Sequence, residues 1–304
     1  KSLLSPKQYQ DLIDFEGNAN GFKILSETKN GVEGGLRLSY ATLGAFMKYP
    51  KESLPKKPSL NISDKKYGVF QSEKDFFLEV AKELGLQNRG DRKDMSFSRH
   101  PLAFLVEAAD DICYTIIDFE DGINLGLIDE EFALEYLIKL VKDNINTVKY
   151  TSLKKSSDRL AYLRSLAINT LVTEAASVFI NNEEAILNGK FTTSLLDKSN
   201  YKAQVDDIIK ISIQKIYNSK NVIDKEIAGY KILNTLLEVF TNSVENYKTG
   251  VTTQFDQLIL NDLILGNPDD SSMYQYLIET CNYISRLTDS NAMLNFQKIN
   301  GNLS

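Results

Sequence analysis

The chain has 304 residues, of which 42% are hydrophobic and 25% are charged, and its formal net charge at pH 7 is -6. This composition is typical of a folded globular protein and excludes intrinsic disorder and collagen-like or low-complexity structure. The sequence has 2 cysteines and 1 histidine, which excludes a disulfide framework and a centre of several histidines and indicates a reducing compartment. No run approaches the ~18 apolar residues of a membrane span and no signal-peptide pattern occurs, so we expect a cytoplasmic protein without membrane attachment.

Apolar residues recur three and four positions apart, and the chain has only 6 prolines, so helices are predicted along most of its length. Ser5 followed by Pro6 is typical of an N-cap with proline at the first helical position, and this helix is expected to end near Gly17. Further helices are predicted over 36–49, 73–85, 101–122, 129–146, 157–188 (one long helix or two abutting ones), 203–217, 224–247, 255–265 and 273–288.

No segment shows sustained alternation of apolar and polar residues, so the sequence predicts an all-α protein. Segments 50–70 and 86–99 are polar and rich in Lys, Pro, Ser, Asn and Asp, which predicts loops. A loop as long as 50–70 is unusual in a compact helical domain, and such loops are often functional.

The predicted helix over 101–122 carries the most informative pattern. Asp110, Tyr114, Asp118 and Asp121 lie at i, i+4, i+8 and i+11 and therefore form one stripe along the helix. Stacked carboxylates repel one another and are expensive to bury without a cation or hydrogen-bond donors. The stripe is therefore either a solvated acidic face or a site for a metal or polar ligand. The remaining positions predict a wide buried face, made of Leu102, Leu105, Val106, Ala109, Ile112, Cys113, Ile116 and Ile117, with Cys113 in the core.

Four segments then occur in order: DFEGNANGF at 14–22, LRLSYATLGAFMKYP at 36–50, SRHPLA at 98–103 and EAADDICYTIIDFED at 107–121. Together they resemble the deoxyguanosine triphosphate triphosphohydrolase family of HD-domain enzymes, and a weaker similarity continues to about residue 240. The resemblance implies an HD-domain-like multi-helix bundle with additional C-terminal helices. Residues 1–125 would form the later part of the catalytic core, and 126–304 a helical region continuous with it.

The resemblance also implies a single divalent metal held by one His, an adjacent His-Asp pair and a later Asp, which matches Asp110. A water activated by the metal would attack the α-phosphate of the nucleotide, so Asp110 is the expected catalytic and metal-binding residue. Such ligands suit Mg, Mn, Fe or Zn alike. The sequence starts at Lys1 and contains no match to the family's histidines, so we expect them upstream of residue 1. His100 is expected to pack at a helix entry.

A nucleoside triphosphate carries about four negative charges, so an acidic protein needs a local cationic cradle for it. Lys48, Lys65, Lys66 and Arg164 are candidates by charge, although Lys65 and Lys66 are equally typical of an exposed loop and Arg164 of a surface ion pair. By resemblance, the expected triphosphate contacts are Asn18, Lys48, Tyr49 and Lys66. Tyr114 would pack against the deoxyribose and exclude a 2′-hydroxyl, Asp118 would accept from the 3′-hydroxyl, and Glu238 would accept from a guanine edge. The alternative for Asp118 is a solvated or ion-paired carboxylate without a role in sugar binding.

The sequence thus predicts a metal-dependent hydrolase that converts deoxynucleoside triphosphates, dGTP in preference, to deoxynucleoside and triphosphate. The resemblance also implies that the protein assembles as a homo-oligomer, for which a hexamer is one expected form. Its net negative charge argues against general nucleic-acid binding. A nucleic acid stays open only as an effector of the enzyme. Two alternatives stay open. One is an HD phosphohydrolase of other specificity, and the other is a catalytically incomplete helical scaffold or oligomerisation fragment.

Overall fold

A computed structural model describes residues 3–27, 36–56, 59–91, 94–261, 263 and 271–302. Over these residues the chain is all-α and contains no β-strand, which confirms the predicted fold class. Three isolated bridges tie the loops together, Lys51 to Ser96, Glu52 to Val69 and Asn88 to Phe97.

The first seven helices are α1 (Pro6–Ile13), α2 (Gly17–Ser26), α3 (Tyr40–Phe46), α4 (Lys74–Glu83), α5 (Pro101–Asn124), α6 (Glu130–Val141) and α7 (Thr147–Ser152). The others are α8 (Ser156–Asn181), α9 (Glu183–Leu187), α10 (Lys202–Ser212), α11 (Lys220–Thr249), α12 (Gln254–Leu260), α13 (Met273–Ser285) and α14 (Asp289–Ile299). Short 3₁₀ turns lie at Ile62–Asp64 and Leu196–Lys198, and α10 continues as a π-helix over Ile213–Tyr217.

The N-terminal helices are shorter and more numerous than predicted. The first predicted helix ends at Ile13, and α2 begins at Gly17 because the Glu16 side chain accepts from the Asn18 amide and caps it. Ser39 accepts from the amide of Thr42, so α3 starts at Tyr40 rather than at residue 36. Further along the chain α7 and α14 were not predicted, and the region 157–188 consists of two abutting helices, α8 and α9.

The main core lies around α5, which packs against α8, α10 and α3, while α6 covers α8. Side chains such as Ile116, Phe119, Leu163 and Leu171 are fully buried there. This single core contains residues on both sides of position 125, and the predicted domain boundary stays a prediction. Three smaller cores of the described residues lie beneath α2–α4, among α11–α14, and between the first two helices and α13.

Within the described ranges, one helix, Ser156–Asn181, is long and apolar enough to cross a membrane by length and composition, and 33% of its apolar 18-residue window is buried. The core helix of a folded protein meets the same criteria. Leu163, Ala167 and Leu171 of this helix belong to the main core. These features are those of a core helix.

The prediction that Cys113 is a core residue is wrong. Its side chain is exposed, and so are those of Leu102 (45%), Val106 (40%) and Ile117 (36%) on the same side of α5. Each residue turns the helix by about 100°, so Cys113 is rotated away from Ile112, which faces the core. The buried face of α5 is therefore narrower than its apolar residues predict.

Candidate functional site

A cleft of about 650 Å³ lies between α5 on one side and α10 on the other. One wall is built from α5, the start of α2, the residues that follow α3, and the loop around Lys65. The opposite wall comes from segment 194–209. The lining residues are Asn18, Lys48, Tyr49, Ile62, Lys65, Lys66, Glu107, Asp110, Asp111, Tyr114, Thr115, Ser194, Leu196, Asp197, Lys202, Val205, Asp206 and Ile209.

Asp110 and Lys48 form an ion pair within this cleft. The Lys48 Nζ lies 2.6 Å from Asp110 Oδ2, and the Asp110 side chain is 70% exposed while that of Lys48 is 16% exposed. α3 ends at Phe46, so the chain carries Lys48 and Tyr49 directly across to the middle of α5. The carboxylate is thus open to a ligand, with one cation already beside it.

A buried arginine supports this part of the cleft. Arg99 donates from both terminal nitrogens to Glu107, at 2.5 and 3.0 Å, and from Nε to the Lys48 carbonyl at 2.5 Å. Its guanidinium lies over the rings of Tyr49 and Phe104, 5.4 and 5.2 Å from their centroids. Arg99 is 3% exposed, so this group acts as a fixed frame for Lys48 and Tyr49.

Asp111 follows Asp110 and is half-buried. Burial, with the negative charges of Glu107 and Asp110 added, raises the pKa of the Asp111 carboxyl to about 6, against the smaller opposing effects of Lys48 and Lys65. Burial also raises the pKa of the Tyr49 phenol, so this ring stays neutral in the cleft.

Cationic side chains from the loop after α3 complete the near wall. Lys66 Nζ donates to Glu16 Oε1 at 3.2 Å, and Asn18 Nδ2 donates to the same oxygen at 2.7 Å. Glu16 thus holds Lys66 and Asn18 together at the cleft while it caps α2. Lys65 and Lys66 also line a neighbouring cleft of about 600 Å³.

The sugar residues expected from the resemblance lie further along α5. Tyr114 lines the cleft and is 52% exposed, and its ring stacks on that of Tyr217 with centroids 5.7 Å apart and an interplanar angle of 18°. Asp118, one turn beyond, is half-buried and accepts from the Tyr217 hydroxyl at 2.5 Å. Asp118 is not among the residues that line the cleft.

Two further predicted residues, like Asp118, are not among those that line the cleft. Arg164 on α8 donates to both carboxylate oxygens of Glu120, at 2.7 and 2.8 Å. It therefore forms an ion pair, which the sequence analysis named as the alternative to a triphosphate contact. Glu238 is exposed on α11, which packs against α12, α13 and α14. Their proposed contacts with a nucleotide stay predictions.

The far wall of the cleft was missed by the sequence analysis. Lys202 Nζ lies 3.1 Å from Asp197 Oδ1 and 3.0 Å from Asp206 Oδ2. Val205 and Ile209 provide apolar surface on the same helix. The i,i+4 pair of Lys202 and Asp206 is visible in the sequence, but such pairs are common on solvated helices and do not indicate a site.

The described residues do not provide a complete metal site. Among them, no group of three or more His, Cys, Asp or Glu side chains is arranged to hold a metal ion. Asp110 has the chemistry of a ligand, but it holds an ammonium. His100 lies about 15 Å earlier along α5, at ~1.5 Å per residue, and its Nδ1 accepts from the Leu102 amide as the N-cap. His100 is thus the helix-entry residue that was predicted, and the expected imidazole ligands have no counterpart here.

Comparison with known proteins decides the family. A "Deoxyguanosinetriphosphate triphosphohydrolase-like protein" of Synechocystis sp. is 36% identical over 309 residues, an alignment that covers 99% of this chain and 68% of the relative. The chain belongs to the deoxyguanosinetriphosphate triphosphohydrolase family. A protein of the same name from Listeria monocytogenes is 32% identical over 326 residues, covering 98% of this chain and 68% of the relative.

A "Deoxyguanosinetriphosphate triphosphohydrolase" of Yersinia pestis is more distant within this family, 27% identical over 295 residues, with 91% of this chain and 55% of the relative covered. The chain thus spans between about half and two thirds of the length of these relatives. No family model matches the chain.

Proposed function

We propose that this chain forms part of a metal-dependent hydrolase that converts deoxynucleoside triphosphates, dGTP in preference, to deoxynucleoside and tripolyphosphate. The observation that supports this most strongly is the convergence in one cleft of six residues expected from the resemblance, although they come from four separate segments of the chain. These residues are Asn18, Lys48, Tyr49, Lys66, Asp110 and Tyr114.

The cationic wall suits the triphosphate. Lys48, Lys65 and Lys66 present ammonium groups to a space of about 650 Å³, and Lys48 is held in place through its carbonyl by the buried Arg99. Phosphate oxygens accept hydrogen bonds from such cations and gain from their charge in a partly closed site. In this proposal an arriving triphosphate competes with Asp110 for Lys48 and with Glu16 for Lys66.

The α5 stripe suits the deoxyribose. Tyr114 offers a ring against which a sugar without a 2′-hydroxyl packs, and a ribose would bring its extra hydroxyl against that ring without a partner. Asp118 accepts from the 3′-hydroxyl in this proposal. The names of the relatives support the proposed preference for guanine.

Asp110 contributes one carboxylate ligand to the metal, which is Mg, Mn, Fe or Zn. The other ligands are not among the described residues, so no reaction step is assigned to the metal. The proposal also includes assembly of this protein into a homo-oligomer, up to a hexamer, which light scattering measures directly.

A second candidate is a catalytically incomplete helical scaffold. Two observations favour it for residues 1–304 taken alone: Asp110 is neutralised by Lys48, and the part of the chain that the structure describes has no group of metal ligands. The scaffold would bind a nucleotide without hydrolysing it.

The test is hydrolysis of dGTP with Mg²⁺ or Mn²⁺, measured on the 304-residue chain and on the full-length gene product, with chromatography of both products. Release of tripolyphosphate and deoxyguanosine by the gene product supports the first candidate. Orthophosphate or pyrophosphate as the product contradicts it, and equal turnover of GTP and dGTP favours a phosphohydrolase of other specificity. Nucleotide binding without turnover in both proteins supports the scaffold. The control is Asp94→Ala, a half-buried acidic residue outside this cleft.

A further inference from the structure

A second cleft, of about 600 Å³, lies beside the cleft described above, which we call the first cleft. The two clefts share a wall, because Lys65 and Lys66 line both of them. The rest of the second cleft is formed by the linker between α1 and α2 and by the loop that follows α3. Its volume is within the range of small-molecule sites, and the proposed function does not use it.

The second cleft is more cationic than the first. Its lining contains four lysines and three carboxylates, namely Lys51, Lys56, Lys65 and Lys66 with Asp14, Glu16 and Asp64. The lining of the first cleft contains four lysines and five carboxylates. The whole chain carries a net charge of -6, so the excess of positive charge in the second cleft is local. A cleft of this kind concentrates its potential on an anion that enters it.

One of the three carboxylates is bound by an arginine from outside the lining. Arg89 donates to both oxygens of Asp64, at 2.7 and 3.2 Å. Burial opposes ionisation of Asp64, but the hydrogen bonds from Arg89 and the charges of Arg89 and Lys51 outweigh it and hold the pKa of this carboxyl below its usual range. Asp64 is therefore charged and compensated, and it repels an anion in the cleft only weakly.

Lys51 is the buried cation of the second cleft. It is 9% exposed, and its Nζ donates to the Pro55 carbonyl at 3.4 Å. Its own carbonyl accepts from the Gly68 amide at 3.0 Å, which fixes its backbone in the loop. An ammonium that is shielded from water interacts more strongly with a bound anion than a fully solvated one does.

The other three lysines are more accessible. Lys56 pairs with Asp14, and its side chain is 60% exposed. Lys66 pairs with Glu16, while Lys65 forms no ion pair with another described residue. Because solvent-exposed ion pairs contribute little free energy, an arriving anion exchanges these carboxylates for its own oxygens at small cost.

An aromatic floor gives the second cleft a fixed shape. Phe15 and Tyr67 line the cleft and pack on Phe70, with ring centroids 5.3 and 6.0 Å away. The Tyr67 hydroxyl also donates to the Asp14 carbonyl at 2.7 Å, so its ring is anchored at the polar end. A cleft that is already formed loses little conformational entropy when a ligand binds.

We propose that the second cleft binds a chain of linked phosphates through Lys51, Lys56 and the wall of Lys65 and Lys66. Phosphate oxygens accept charge-assisted hydrogen bonds from ammonium groups. Tripolyphosphate and the phosphate tail of a second nucleotide share this chemistry. Under the proposed function, tripolyphosphate is released beside the shared wall, so the second cleft adjoins the place where this product forms. That link to the product rests on the proposed function, whereas binding of phosphates does not.

The test is calorimetric titration of tripolyphosphate into the full-length protein and its variants, with EDTA present to remove divalent metals. Lys51→Met keeps an apolar stem and removes the buried charge, and Lys56→Gln removes an exposed one. Each variant is expected to raise the Kd for tripolyphosphate about tenfold, because each loses a hydrogen bond between charged groups. Lys56→Gln keeps the test decisive if Lys51→Met does not fold, since 60% of the Lys56 side chain is exposed.

Two controls separate the second cleft from the first and from general attraction by charge. Lys48→Gln removes a cation that lines the first cleft and not the second. Lys154→Gln removes an exposed lysine outside the lining of both clefts. The proposal requires a binding event that Lys56→Gln weakens and that each control changes by less than about twofold. Binding that responds to Lys48→Gln but not to Lys56→Gln overturns it, as does binding that Lys154→Gln weakens equally.

Titration with dGTP in the same buffer distinguishes the two sources of the phosphates. If the occupant is a second nucleotide, the protein binds two molecules of dGTP and Lys56→Gln weakens one of the two events. If the occupant is tripolyphosphate, dGTP binding is the same in Lys56→Gln and in wild type. Both results agree with the proposal, and a folded Lys56→Gln protein that binds tripolyphosphate and dGTP as wild type does overturns it.

This inference and the proposed function fail in different ways. Hydrolysis of dGTP to tripolyphosphate by a protein that has no binding event sensitive to Lys56→Gln leaves the proposed function standing and removes only the second site. A protein that binds tripolyphosphate through Lys56 but does not hydrolyse dGTP keeps the second site and loses its link to a product.

Discussion

The Arg99–Glu107 pair supports the cleft from beneath, and its removal makes a quantitative prediction. The side chains of Arg99 and Glu107 are 0% and 7% exposed, and Arg99 also donates to the Lys48 carbonyl. Arg99→Ala leaves the Glu107 carboxylate buried without its partner, which typically costs about 3–5 kcal/mol of folding free energy. For a chain of this size that corresponds to a fall in Tm of roughly 5–8 °C.

The matched control is Arg164→Ala, because Arg164 also pairs with a glutamate through two hydrogen bonds but is 36% exposed. Solvent-exposed pairs contribute about 0–1 kcal/mol, so this control is expected to lower stability only slightly. Denaturant unfolding followed by circular dichroism gives the free energy of unfolding of both variants. If Arg99→Ala loses no more stability than Arg164→Ala, the pair is not the frame that its burial indicates.

Three further predictions concern the same region. Asp110→Ala is expected to change the free energy of unfolding by less than about 1 kcal/mol, because the Asp110 carboxylate is 70% exposed and exposed pairs contribute little. In the activity assay Asp110→Ala abolishes turnover, whereas Lys48→Ala chiefly raises KM. Asp111→Asn is expected to stabilise the protein above pH 6 and to have little effect near pH 4. The pKa of Asp111 is about 6 in the folded protein, above the ordinary value of 3.8 for an aspartate. The folded state therefore binds this proton more tightly than the unfolded state, and the protein loses stability as the pH rises from about 4 to about 6. Thermal melts from pH 4 to 8 measure this, and a constant difference between variant and wild type across that range contradicts it. Gly122→Val is expected to lower the free energy of unfolding by about 1–3 kcal/mol, because a β-carbon at this position would lie only 2.5 Å from Ile216 Cδ1. A Tm equal to that of wild type would contradict this close contact.

Much of the fold was predictable because local signals in this chain are strong. Ser5 with Pro6 and His100 with Pro101 mark helix starts, and apolar spacing identified α5, α8 and α11. The short helices α2, α7 and α14 were missed. A helix of few turns carries too few apolar repeats to stand out from a loop, and its stability comes from tertiary packing.

The sequence alone determined the α5 stripe, since residues at i, i+4 and i+8 share one side of a helix wherever that helix lies. Family similarity then brought Asn18, Lys48 and Tyr49 into the prediction. Only the tertiary structure decided which face of α5 is covered, so Cys113 is exposed although its neighbour Ile112 is buried. Only the tertiary structure also brought Tyr217 to Asp118 and set Arg164 against Glu120. These contacts join residues far apart in the chain, and they depend on how helices approach one another, which no local pattern encodes.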